Sequence, residues 1–197
     1  MRFVIALILL VLAGCDKESQ PKGQAQPAST GQAGASDTAE IALESANGMR
    51  ATLSYQFAGQ KAPSAPFADA QGQDVSLADF EGKPLLLNIW ATWCAPCKAE
   101  MPTLDALAAS EKGRMNVIAV SQDLEGRAPV VAFFKETAVK NLVPYTDADN
   151  ALLTAFNNAI ALPTTILYDS DGKEVWRVAG GVEWDHAEMA KLLRAAD

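Results

Sequence analysis

The sequence predicts an α/β fold, a central mixed β-sheet flanked by helices with an added N-terminal β-hairpin, and three observations predict it. Residues 84–91 (PLLLNIWA) and 115–121 (MNVIAVS) are almost unbroken apolar runs, the pattern of strands buried on both faces of a parallel sheet. Between them Met101, Leu104 and Leu107 recur at helical spacing, so a helix connects one strand to the next. Residues 164–169 (TTILYD) and 173–179 (KEVWRVA) flank Ser170-Asp171-Gly172, a turn signal that folds them into an antiparallel hairpin.

Taken in order, residues 1–14 (MRFVIALILLVLAG) place Arg2 before an apolar run from Phe3 to Ala13. A transmembrane helix needs about 20 residues, so this run has the length of a signal-peptide core instead. It ends in Leu12-Ala13-Gly14-Cys15, which resembles the lipobox of bacterial lipoproteins. That resemblance implies cleavage before Cys15 and acylation of its sulfur and new amino group, and several acyl chains anchor firmly. The plainer readings are an ordinary secretory signal with an incidental cysteine, or an uncleaved anchor. Asp16, next in line, resembles an inner-membrane retention signal.

Residues 15–38 form the lipidated cysteine and a linker: 16–38 contain no Val, Ile, Leu or aromatic residue and cannot bury enough apolar surface to order themselves. Residues 39–59 are an extension in which Ile41, Leu43, Met49, Ala51, Leu53, Tyr55 and Phe57 alternate with polar neighbours around Asn47-Gly48. That pattern reads as a small β-hairpin, with a short helix as the alternative. The remaining domain, 60–197, adds helices at about 94–112, 128–138, 149–157 and 185–195 to the strands already named. The order β-α-β-α-(α)-β-β-α places helices on both faces of the sheet, and no internal repeat is present.

The chain carries 24 acidic against 16 basic residues, a net charge of −8, so a phosphate backbone would be repelled and nucleic acid is not a partner. Its three cysteines are Cys15, Cys94 and Cys97, and with Cys15 acylated one pair remains. The single histidine, His186, has no partner that the sequence names and reads as a surface residue at a helix start. Trp176 and Trp184 read as packing residues near the C-terminal helix.

Trp93-Cys94-Ala95-Pro96-Cys97 lies where the first strong strand passes into its helix. Two residues between cysteines in a first helical turn bring the sulfurs within disulfide reach. Cys94 then meets the unpaired N–H groups and positive dipole end of the helix, which favour a thiolate and make it the attacking nucleophile. Cys97, one turn further in, is the buried thiol that resolves the mixed disulfide. Pro96 lacks an N–H that a first turn does not need. Rival readings are weaker: a zinc site needs four ligands, and only His186 and carboxylates remain. A purely structural disulfide closing so short a loop gains little entropy. A peroxidase of related fold needs proline and threonine where Leu87 and Ala91 stand.

NIWATWCAPCKAEMPTL, with upstream GQDVSLADFEGKP and downstream ALPTTILYDSDGKEV, resembles the TlpA/ResA branch of membrane-tethered thioredoxins over about residues 60–197, and the closing GVEWDHAEM leans to its TlpA side. The resemblance implies a thioredoxin-like fold and thiol–disulfide exchange through a Cys94–Cys97 redox disulfide, with no cofactor and no metal. It implies that Leu162-Pro163-Thr164 is the cis-proline loop facing the disulfide, where Pro163 alone would read as a strand-initiating proline. With Trp93, Ala95 and Pro96, that loop would form the substrate surface. Glu100 matches an acidic residue of the branch and lies one helical turn beyond Cys97, placed to exchange protons with the thiols; read alone it is a solvated carboxylate. Trp90 and Trp93 match an aromatic pair around the site, although core packing explains either. Asn88 stands where cytoplasmic thioredoxins bury an aspartate, so acid–base work has to move elsewhere, with Glu100 the leading candidate. Lys98 reads either as charge near the thiolate or as a solvated helix lysine.

The function expected is a monomeric reductase of disulfides in exported proteins on the periplasmic side of the inner membrane. Reducing power would come from a membrane electron donor of the DsbD/CcdA type, as in the family. The clients implied are proteins whose cysteines must stay reduced to take a cofactor, such as apocytochrome c or a respiratory copper centre. Leu-Pro-Thr-Thr in place of the Gly-x-Pro-Glu-Thr of the dedicated cytochrome-c branch favours the broader or copper-centre use. The alternatives are a disulfide-donating oxidant, although no histidine separates the cysteines, and a copper metallochaperone of related fold, for which His186 is poorly placed.

Overall fold

The computed structural model describes residues 40–44, 48–157 and 160–196. The signal peptide, Cys15 and the linker therefore lie outside the described residues. The first described strands, β1 (Ile41–Glu44) and β2 (Arg50–Ser54), pair antiparallel with Glu44 opposite Arg50, so the extension is the hairpin rather than the short helix. β2 stops at Ser54, before the alternating residues Tyr55 and Phe57, because the chain turns there: Ala58 N–H donates to Tyr55 O and Gly59 takes φ +82°.

Next come two two-residue strands, β3 (Phe67–Ala68) and β4 (Asp74–Val75), and a 3-10 turn at Leu77–Phe80. The expected apolar run becomes β5 (Leu85–Trp90), and α1 (Ala95–Ser110) follows it. Then come β6 (Asn116–Ser121), α2 (Arg127–Glu136), β7 (Pro144–Thr146) and α3 (Ala151–Ala155). The chain closes with the hairpin β8 (Thr164–Tyr168) and β9 (Glu174–Gly180), then α4 (Ala187–Leu193) and a 3-10 turn at Arg194–Ala196.

Among the described residues these strands form one nine-stranded sheet in the order β1-β2-β9-β8-β5-β6-β7-β3-β4. β5 pairs parallel with β6, and β6 with β7, while β8 runs antiparallel to β5, so the sheet is mixed as expected. The hairpin joins that sheet through β2, which pairs antiparallel with β9.

Strand alternation divides the core into two layers. Leu86 and Trp90 of β5, Ala119, Leu167, Trp176 and Val178 pack with Met101 and Leu104 of α1, Phe134 of α2, and Met189 and Leu193 of α4. On the opposite face Leu85, Leu87, Ile89, Ile118, Val120 and Ile166 pack with Leu152 of α3 and Leu77 of the 3-10 turn. Because β5 is covered on both sides, all six of its residues are buried, including the one polar residue, Asn88. Trp176 and Trp184 are buried as expected, and the Trp176 indole N–H donates to Leu192 O at 3.1 Å.

Turn chemistry sets the ends of these elements. Asp169 Oδ1 accepts from the N–H groups of Asp171 and Lys173, and Gly172 takes φ +72°, which closes the β8–β9 hairpin. The same device recurs at Asp69 and Gly72 between β3 and β4, a hairpin too short for its flanking residues to announce it.

Candidate active site

Cys94 is the N-cap of α1: its backbone is extended (φ −88°, ψ 108°) and its Sγ accepts from the Cys97 N–H at 3.3 Å. The two sulfurs are bonded, with Cα atoms 5.3 Å apart. Cys94 keeps 6% of its surface exposed and Cys97 none. The outer sulfur thus sits at the rim against the positive end of a 16-residue helix, and the inner one is in the core. Ala95 and Pro96 are exposed beside them.

The aromatic pair divides. Trp90 is fully buried, stacked on Phe134 of α2 at 5.8 Å between ring centroids, whereas Trp93 is 67% exposed next to Cys94. Trp90 is a core residue; Trp93 is free to meet another molecule. Lys98 is exposed on the solvent side of α1.

The Leu162–Pro163 peptide bond is cis. β8 pairs with β5 up to Thr164 opposite Ile89, so the loop enters β8 at the end of β5 that leads on to Cys94. The Pro163 carbonyl accepts from Gly180 N–H at 2.8 Å, and Thr164 Oγ1 donates to Ala161 O at 2.6 Å. Pro163 and Thr164 are buried and Leu162 half-buried.

Glu100 is fully buried, on the same face of α1 as Cys97, Met101 and Leu104. Asn88 Nδ2 donates to its Oε1 at 2.7 Å and the Val182 N–H donates to its Oε2 at 3.1 Å. Burial pushes the carboxyl up to about 7, against the opposing pull of Val182, then Asn88, then the nearby Trp184 indole. The Trp184 ring is the weakest of these and falls short of hydrogen-bond geometry to any partner. The solvated-carboxylate reading of Glu100 is therefore excluded by its burial.

Three features of the site were not read from the sequence. Asp123, 1% exposed in the loop after β6, accepts from Thr92 N–H at 2.9 Å and Thr92 Oγ1 at 2.6 Å, and so pins the segment leading into Trp93 and Cys94. Leu124, its neighbour in the chain, is 68% exposed. Gly181, after β9, is the third: a Cβ there would lie 3.4 Å from Pro96 O and 3.2 Å from Met49 Sδ, so the added hairpin reaches the rim of the redox site. Only the Asp123-x-x-Gly126 turn pattern in the sequence hinted at any of them.

His186 does have a partner. It stands at the N-cap position of α4 without a side-chain capping bond, and its Nε2 lies 3.1 Å from Glu183 Oε2. Among the described residues no three His, Cys, Asp or Glu side chains converge as a metal site would require.

The Redoxin family profile matches residues 57–193, which is most of the chain. The chain belongs to the Redoxin family. Within it, the chain is 36% identical over 124 residues to the thiol–disulfide oxidoreductase ResA of Bacillus thuringiensis subsp. konkukian (strain 97-27), covering 62% of this chain and 69% of that one. It is 35% identical over 123 residues to ResA of Bacillus subtilis (strain 168), covering 62% and 67%. Among solved structures, a candidate thiol:disulfide interchange protein DsbE from Chlorobium tepidum superposes with a TM-score of 0.61 at 25% identity, over 71% of this chain and 98% of that one. This Redoxin chain is a thiol–disulfide oxidoreductase of thioredoxin-like α/β fold, with β1 and β2 added to the sheet.

Proposed function

We propose that the chain works as a reductase of disulfides in exported proteins, with Cys94 as nucleophile, Cys97 as resolving thiol and Glu100 as proton carrier. The observation that supports this most is the graded burial along one helix: a rim sulfur at the N-cap, a fully buried sulfur one turn in, and a fully buried carboxyl one turn beyond.

In the dithiol form the Cys94 thiolate attacks one sulfur of a substrate disulfide, and the second substrate sulfur leaves and takes a proton. Cys97 gives its proton to Glu100 and attacks Cys94 Sγ. That step releases the other substrate thiolate, which is protonated in turn, and forms the Cys94–Cys97 disulfide. Two electrons pass to the substrate, with one proton from Cys97 by way of Glu100 and the other from water. The dithiol is restored by a membrane donor of the DsbD/CcdA type.

Trp93, Ala95, Pro96 and the Leu162-Pro163-Thr164 loop form the surface on which the substrate lies. Trp93 offers the largest exposed apolar area there, and the Leu162 backbone offers hydrogen bonds to an extended chain. The protein acts as a monomer on the periplasmic side of the inner membrane, held by acyl chains on Cys15 with residues 16–38 as tether. Its clients are apoproteins of respiratory cytochrome or copper-centre assembly, consistent with its likeness to ResA.

Cys97→Ser in cells tests the reading, because an adduct on Cys94 can no longer be resolved. Mixed disulfides with exported proteins are expected in the membrane fraction, and the wild-type couple equilibrated with glutathione is expected to be more reducing than about −180 mV. A couple near about −120 mV, the range of strong oxidants, would reverse the assigned direction. No adducts at all would remove the substrate assignment.

A further inference from the structure

Asn88 is the buried polar residue of β5, and the bonds of its amide are lopsided. One Nδ2 hydrogen goes to Glu100 Oε1 at 2.7 Å and the other to Thr165 Oγ1 at 2.9 Å. The amide oxygen, Oδ1, is buried with no hydrogen-bond partner. All three side chains are essentially solvent-free, Thr165 being 1% exposed and the other two 0%. Both amide hydrogens are thus bonded and only an acceptor, the better tolerated of the two, is left bare, with a donor aimed at the carboxyl. The orientation suits an anion.

We propose that Asn88 and Thr165 are a positioning pair for the proton carrier: Thr165 takes one amide hydrogen of Asn88, so that the other is aimed at Glu100 Oε1 and holds the carboxyl as an anion able to receive the Cys97 proton. The proposal rests on the proton-carrier reading of Glu100.

Donors occupy both carboxylate oxygens, since Oε2 faces the Val182 N–H. A protonated Glu100 would aim its O–H at a donor unless the Asn88 amide turned over. Val182 cannot reverse its role, because a backbone N–H only donates, so Asn88 is the adjustable partner. Thr165 biases that choice. If the hydroxyl is removed, the donor-in orientation leaves a buried N–H bare. The acceptor-in orientation loses only a second bond to an oxygen that already has one, and under-bonded carbonyls are the better tolerated of the two. Loss of either residue therefore favours the neutral acid.

No charged side chain contributes to the carboxyl's environment from β5, β8, α1 or the segment after β9. The titratable groups nearest in sequence along those elements are Cys97 and the exposed Lys98 on α1, the Glu183–His186 pair beyond Val182, and Asp105, which is bonded to the N–H groups of residues 140–142.

The test is direct titration of the Glu100 carboxyl by carbon-13 NMR in the reduced protein, alongside the pH–rate profile of disulfide exchange. Asn88→Ala is expected to raise the carboxyl midpoint by about one to two pH units, the effect of losing a hydrogen bond to a charge. Thr165→Val is expected to raise it by a smaller amount, and Thr165→Ser, which keeps the hydroxyl, to restore it. Should Asn88→Ala fail to fold, the Thr165 Val/Ser contrast decides alone. A midpoint unmoved by Thr165→Val, or a Ser variant behaving like Val, overturns the pair. A carboxyl midpoint that moves while the rate profile stays put instead overturns the proton-carrier role of Glu100 and leaves the positioning intact.

Discussion

At the level of single residues, the site depends on one carboxyl whose ordinary preference for water has been denied. Glu100 has no exposed surface, and that loss of hydration outweighs the two hydrogen bonds that favour its charge, so it sits near neutrality, where a proton carrier is most useful. Glu100→Gln keeps the shape but cannot take a proton from Cys97. It is expected to slow disulfide exchange by about 10²-fold, the lower end of what general acid–base groups contribute, and to erase the inflection near pH 7 in the rate profile. Stopped-flow exchange against a model disulfide measures both; an unchanged rate and profile would remove the carboxyl from the chemistry. That Glu100 lies one turn beyond Cys97 was legible in the sequence, although read alone the residue was a solvated carboxylate. Its partners were not. Thr165 lies 77 residues from Asn88, and Val182 lies 82 from Glu100, separations that only the closed sheet brings together.

At the level of elements, legibility followed length and pattern. β5, β6, β8 and β9 announced themselves because each is five or more residues long with a continuous or alternating apolar run. β3, β4 and β7 are two or three residues long and carry no period at all. The helix through Pro102 was expected and is present. The bond that Pro102 cannot make would go to the carbonyl of Lys98, on the exposed side of α1. The added hairpin was legible from its alternation, but not its docking, which depends on a close approach at Gly180. There φ is +106°, and a Cβ would lie 2.4 Å from Arg50 O, in the neighbouring strand. Gly180→Ala therefore combines a strained backbone with a clash against main chain that cannot swing aside, and is expected to cost about 3 kcal/mol. Ala51, which pairs with Gly180, would shift first and loosen the hairpin end that carries Met49. Urea denaturation together with hydrogen exchange of the β1 and β2 amides checks this. Unchanged stability and protection would mean that the hairpin is not held through that contact.

For the molecule as a whole, the buried carboxyl makes stability depend on pH in a direction opposite to that of an ordinary ion-paired acid. Glu100 titrates near 4.5 when unfolded and at about 7 when folded, so between those values the native state holds a proton that the unfolded chain has released. By linkage the free energy of unfolding falls as pH rises through that window. The contribution is fully present below about 4.5 and lost above about 7, amounting to about 3 kcal/mol. Asp147, in the segment after β7, is likewise pushed up by burial and acts in the same sense. Against a total of about 5–15 kcal/mol for a domain of ordinary stability, this is a substantial cost carried at neutral pH by the residue beside the disulfide. Urea denaturation of the oxidised protein at pH 5 and pH 8 is expected to show the wild type less stable at the higher pH. Glu100→Gln, which has no proton to release, is expected to lose most of that difference and to be the more stable protein at pH 8. If the variant kept the full pH dependence, the source would have to be other carboxyls, and Glu100 would not be held near neutrality in the folded chain.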